Sequence, residues 1–317
     1  MIIITGTKRS GTSMWMQILK EAGFTIMGEA FPKNWKNTIQ DANPHGFYES
    51  PLRSGIYYAT NPDPRTGQYL NPQQTRDVAI KVFIPGLCRS DLAFTKQVVG
   101  SVRHWREYAS SIDRLHKMED TAFHEQSEKR GMAFFPFPKL DPVLEWWLEN
   151  FALIRDVVTR QYPAHLVTYQ NVVEDPEQYL PPILRWLGAE NVEAGVAAVS
   201  PETRTQKREQ IERSHPHEDV FDEFYEIIHN GDKMTNAFLE KLNVTHQKLI
   251  PAIEADVRRV TEARFKQAKK SARRRRDALH PDTMESLIHT PDTRVRDLEA
   301  LDSNTEDAGG EGASGED

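Results

Sequence analysis

Residues 2–13 read Ile2-Ile3-Ile4-Thr5-Gly6-Thr7-Lys8-Arg9-Ser10-Gly11-Thr12-Ser13. The opening apolar run, closed by a glycine, has the pattern of a strand buried on both faces of a parallel sheet. Behind it, Met14, Trp15, Ile18, Leu19 and Ala22 recur at helical spacing as far as Gly23, which predicts a helix over 12–22. Strand, glycine loop and helix form the opening unit of an α/β nucleotide-binding fold. Gly6 and Gly11 are spaced as in a Walker A loop, but Thr12 stands where that motif places its lysine. No strand ends in an aspartate convincingly placed to hold magnesium, so an ordinary kinase or NTPase is disfavoured. The loop still suits an anion. N–H groups at a helix start, the helix dipole, the Thr12 and Ser13 hydroxyls and the charges of Lys8 and Arg9 all favour one.

Working outward, short apolar runs at 78–83, 98–102 and 165–169 predict further strands. Helices are expected over 105–115, over 144–160 with Leu144, Trp147, Phe151, Ile154 and Val158 on one face, and over 176–187 with Gly188 as the stop. Strands alternating with helices predict an α/β, P-loop-like three-layer fold, with a mostly parallel central sheet flanked by helices and a helical C-terminal extension. Residues 31–76 and 118–142 read as irregular stretches of the kind that form lids or substrate segments. A long helix is expected over 244–276. The expected organisation is an α/β domain at 1–245, a basic helical extension at 246–280 and an acidic, disordered tail at 281–317.

The net charge of -7 over 317 residues argues against a nucleic-acid protein, although Arg264, Lys266, Lys269, Lys270 and Arg273–Arg276 form a basic block. No apolar run approaches the roughly 20 residues of a membrane span. The start shows no charged-then-apolar leader, so a cytoplasmic protein is expected. The lone Cys88 excludes an internal disulfide framework and a multi-cysteine metal site, and reads as a small buried hydrophobe.

Lys8-Arg9-Ser10-Gly11-Thr12-Ser13 resembles the 5′-phosphosulfate loop of sulfotransferases that use 3′-phosphoadenosine-5′-phosphosulfate (PAPS). Three further stretches are similar to that family. One is the 98–102 strand followed by Arg103 and, eight residues later, Ser111. Another is Tyr169-Gln170-Asn171-Val172-Val173-Glu174-Asp175-Pro176 with Trp186-Leu187-Gly188 beyond it, and the last and weakest is Asn43-Pro44-His45-Gly46-Phe47-Tyr48-Glu49. The matches cover about residues 1–208. The resemblance implies a PAPS-dependent sulfotransferase that needs no metal and releases adenosine 3′,5′-bisphosphate. It places Lys8, Arg9, Ser10, Gly11, Thr12 and Ser13 at the phosphosulfate, Arg103 and Ser111 at the 3′-phosphate and Tyr169 near the adenine.

The sequence also departs from the family. The histidine that serves small-molecule members as general base is replaced by Val82, one residue after the matching Lys81. A base must come from elsewhere, and Glu29, Glu49 and His45 are the candidates, with Arg9 and Lys81 as the charge-stabilising pair. The family's stacking tryptophan position holds Met14, so Trp15, one residue on, is turned toward the core. The late cationic clamp is not clean either, and Arg204 is its best match, near Lys207 and Arg208. The acceptor is left open as a small molecule, carbohydrate or peptide, as is a homo-oligomer formed through the C-terminal helices. Two other functions stay open: a P-loop small-molecule kinase, and a non-catalytic nucleotide-binding relative.

Overall fold

The computed structural model describes residues 1–31, 46–129, 136, 138–199 and 211–278, the last eight by backbone alone. Five strands form one sheet: β1 (Ile2–Gly6), β2 (Ile26–Met27), β3 (Ala79–Lys81), β4 (Gln97–Val102) and β5 (Ala164–Thr168). The order is β2-β3-β1-β4-β5 and every pairing is parallel. β1 sits in the middle, with Ile3 opposite Ile80 on one side and Val98 on the other.

The α/β class follows from how β1 is covered. Its five residues are all buried. Side chains alternate across a strand. Ile2 and Ile4 therefore pack with Trp15, Ile18 and Leu19 of α1 (Thr12–Glu21) and with Leu180, Ile183 and Leu184 of α6 (Pro176–Leu187). Met1 and Ile3 face the other way, onto Ile84 and Leu87 of α2 (Ile84–Leu87) and Leu153 of α4 (Pro142–Arg160). A third cluster joins Trp105 and Tyr108 of α3 (Trp105–Lys129), Trp146 and Trp147 of α4, and Phe221 and Phe224 of α8 (Glu218–Asn230). Trp15 lies fully in the core, as its one-residue offset predicts. Two short helices, α5 (Tyr169–Glu174) and α7 (Val192–Ala197), complete the layers.

Several sequence expectations are corrected. The stretch expected to be irregular from residue 118 is helical as far as Lys129, so α3 runs well past 115. Its second half lacks apolar periodicity but is made of good helix formers, and Lys139 ties it by donating to the His116 carbonyl and pairing with Asp120. On α4 the buried side chains include Trp146 and Leu153, and Val158 is half exposed. That helix is covered twice, by the sheet and by α8, so its buried arc is wider than one stripe. Tyr169 opens α5 rather than ending β5. The long C-terminal helix begins earlier, as α9 (Asn236–Ala278), because Phe238 and Leu242 join the aromatic cluster. The chain divides into two compact units, Met1–Val260 and Thr261–Asp317.

Candidate functional site

The 6–11 loop leaves β1 at its C-terminal end, between β3 and β4. The chain after β1 leads to one side of the sheet, whereas β4 and β5 lie on the other, and ligands of open α/β sheets bind at such a switch point. The loop is tightly built. Ser10 Oγ donates to the Thr7 carbonyl at 2.7 Å, and Ser101 Oγ on β4 donates to the Ser10 carbonyl at 2.5 Å. Gly6 is obligatory because a Cβ there would lie 2.5 Å from the Ser101 carbonyl oxygen. Gly11, at φ 89°, would drive a Cβ to 2.5 Å from Cδ2 of Tyr169. Arg9 adopts φ 67°, a left-handed conformation uncommon for a residue with a side chain and often held where a site demands it.

Gly11 is the N-cap of α1, with no side-chain cap and no acidic residue in the first turn. The first N–H groups of that helix and its positive dipole end are thus offered to a ligand. Thr7 Oγ1 is fully buried without a hydrogen-bond partner.

Two flanks converge on this loop. On the β4 side, Arg9 Nε donates to Ser111 Oγ of α3 at 3.3 Å across 102 residues of sequence. Arg103 Nη1 donates to the Arg9 carbonyl at 2.9 Å, and its guanidinium lies 4.9 Å from the centroid of the Tyr169 ring. Burial, and then the neighbouring Arg103 charge, lower the pKa of Arg9. Two like charges held this close, in a partly dry place, favour an anion between them. Tyr169 is buried, and its ring supports the loop from the Gly11 side.

On the β3 side, Lys81 is almost fully buried at the strand end. Its Nζ lies 2.7 Å from Glu49 Oε1, donates to Ser13 Oγ at 3.2 Å and also donates to the Phe47 carbonyl. Burial lowers the pKa of Lys81 against the opposing pull of Glu49. Glu49 Oε2 is buried with no hydrogen bond, although Arg53 Nη1 approaches it at 3.6 Å. Glu29 reaches the site only through its main chain, in a two-way backbone bridge with Glu49, while its side chain is exposed. Lys8 is exposed at the loop's edge. His45 and Arg204, with Lys207 and Arg208, lie outside the described residues.

Sequence reasoning missed two groups here. Glu107, in the first turn of α3, pairs with Arg103 Nε at 3.3 Å with both side chains buried. An acidic residue four positions after a strand-end arginine was the available signal. Glu149 on α4 is pushed up to about 8 by burial and by Glu145, with Lys8 opposing the shift. Nothing in its local pattern marks it, because the burial is created by packing. Phe47 and Tyr48 beside Glu49 are buried, whereas Tyr58 is 90% exposed. Cys88 is pushed up to about 11 by burial, which makes it a poor nucleophile. Among the described residues no group of three or more His, Cys, Asp or Glu side chains could hold a metal ion, and no helix is long and apolar enough to cross a membrane.

No protein-family model matches the chain, and no curated protein matches it. Solved structures that are distantly similar include two sulfotransferase domains. The sulfotransferase domain from the curacin biosynthetic pathway is 12% identical over 78% of this chain and 96% of its own length, with a TM-score of 0.33. The sulfotransferase domain from the Synechococcus PCC 7002 olefin synthase is 15% identical over 78% and 94%, also with a TM-score of 0.33.

Proposed function

We propose that the chain is a sulfotransferase that moves a sulfuryl group from PAPS to a hydroxyl or amine of a small-molecule, carbohydrate or peptide acceptor. The observation that carries this reading is the convergence of Arg9, Arg103 and Ser111, from three separate segments, on an uncapped helix start. A donor with phosphate groups at both ends of its ribose calls for two cationic subsites joined by one loop. The buried, unpartnered Thr7 hydroxyl fits such a ligand. The phosphosulfate end is assigned to Lys8, Arg9, Ser10, Gly11, Thr12 and Ser13, and the 3′-phosphate end to Arg103 and Ser111.

When bound, the donor supplies an activated sulfur that an acceptor oxygen or nitrogen attacks in line, with the 5′-phosphate leaving. Arg9 and the loop N–H groups offset negative charge on the phosphosulfate, and Lys81, anchored beside Ser13, adds to it. Glu49 is the base that the geometry favours. Its Oε1 is fixed by Lys81 while Oε2 has no hydrogen bond, so a proton from the acceptor has a place to go. Glu29, with an exposed side chain, has no comparable constraint.

Calorimetric titration with adenosine 3′,5′-bisphosphate tests the reading, and it should bind about tenfold or more tightly than adenosine 5′-phosphate. No binding of the bisphosphate overturns the proposal. Magnesium-dependent ATP consumption would indicate the kinase reading instead. Binding without donor consumption across a broad acceptor panel would indicate a non-catalytic relative.

A further inference from the structure

Arg103 is 6% exposed, and its guanidinium is held along two edges. Nε donates to Glu107 Oε2 at 3.3 Å and Nη1 donates to the Arg9 carbonyl at 2.9 Å. Nη2 makes no hydrogen bond among the described residues. Glu107 is 1% exposed and stands in the first turn of α3. That turn is itself fixed: Trp105 Nε1 donates to Asp222 Oδ1 of α8 at 2.6 Å, and Trp146 Nε1 of α4 donates to the Arg103 carbonyl at 2.8 Å.

A buried carboxylate facing a buried guanidinium is expensive to desolvate and is weak evidence for stability by itself. Here it has a geometric consequence. A guanidinium is planar, so fixing Nε on one edge and Nη1 on a backbone oxygen fixes the direction in which Nη2 points. The carboxylate also offsets one of the two guanidinium charges on this flank, which lets Arg9 and Arg103 sit together before any anion arrives.

We infer that Glu107 is a positioning residue for nucleotide recognition: it sets the plane of the Arg103 guanidinium so that Nη2 is presented to a phosphate, and so makes the site discriminate nucleotides that carry a 3′-phosphate from those that do not. This rests on the sulfotransferase reading. Glu107 touches no ligand in this scheme and acts through Arg103.

The test is Glu107→Gln, titrated with adenosine 3′,5′-bisphosphate and with adenosine 5′-phosphate. The variant keeps shape and one acceptor oxygen but loses the charge. Affinity for the bisphosphate should fall about tenfold, with adenosine 5′-phosphate changed less than about twofold. Glu107→Asp should recover part of the preference. A purely structural role would weaken both nucleotides together, and that result overturns the inference, as does an unchanged bisphosphate affinity. If Glu107→Gln unfolds, the same comparison is made with Glu107→Asp, and an unchanged preference for the bisphosphate there overturns the inference. In an Arg103→Ala background the Glu107→Gln change should have no further effect on bisphosphate affinity, and an undiminished effect overturns the inference. Failure of the wild type to bind the bisphosphate at all is a different result, and it removes the sulfotransferase reading instead.

Discussion

The two flanks of the phosphate loop are built on opposite principles. On the β4 side the charges are guanidinium groups, which stay ionised at any working pH; Arg103 stands where a strand passes into a long helix and bonds to the Arg9 carbonyl of the loop. On the β3 side the charge is a lysine, lowered in pKa by burial, and its carboxylate partner comes from a loop segment beside β2. Arginine in a rigid frame holds an anion in a set orientation. A lysine–glutamate pair can exchange protons and partners. Under the proposed sulfotransferase reading, the first flank serves recognition and the second serves the chemistry.

The comparison breaks most visibly at Lys81. Lys81→Met should lower donor consumption, measured with water or any acceptor, by about 10²–10³-fold, while affinity for adenosine 3′,5′-bisphosphate falls by a smaller factor. Equal losses in the two measurements would erase the distinction between the flanks. The substitution also strands Glu49 in a dry place, so Glu49→Gln in the same background should recover part of the lost thermal stability.

A smaller effect is expected at the hinge between the flanks. Gly11→Ala puts a Cβ against the Tyr169 ring and asks alanine to hold φ 89°. Denaturant unfolding should show a loss of about 1–3 kcal/mol. A neutral result would mean that Tyr169 moves freely, and that the recognition flank is not rigid.

The smallest effect concerns Glu149 on α4, whose titration is strongly displaced. Glu149 titrates at about 8 in the fold against an ordinary 4.5, raised by burial and Glu145. Between those values the folded protein keeps a proton that the unfolded chain releases, so stability should decline as pH rises from about 5 to about 8. Glu149→Gln should flatten that slope in unfolding midpoints measured across the range. An unchanged slope would place the pH dependence elsewhere.

Much of the loop's framework was legible along the chain. Ile2–Thr5, Gly6 and Gly11 announced the strand and loop because both signals are local, apolar run and glycine spacing. Arg103 and Ser111 were singled out by the family resemblance, and their position after β4 brings both to the loop. The second half of α3 was not legible, since a solvent-facing helix carries no apolar stripe. Choosing among Glu29, Glu49 and His45 was beyond the sequence as well, because Glu29 and Glu49 look alike as local patterns.

By itself, the sequence determined the strand–loop–helix unit and the parallel α/β class. These depend on periodicity and on residues a few positions apart. Only the tertiary structure decided that Arg9 meets Ser111, that Glu49 rather than Glu29 faces Lys81, and that Glu107 backs Arg103. Those contacts are set by the order β2-β3-β1-β4-β5, which brings the ends of β1, β3 and β4 together. Burial then completes them. It removes water from Lys81, Glu49 and Glu107, and a charge without water must find its partner within a few ångströms.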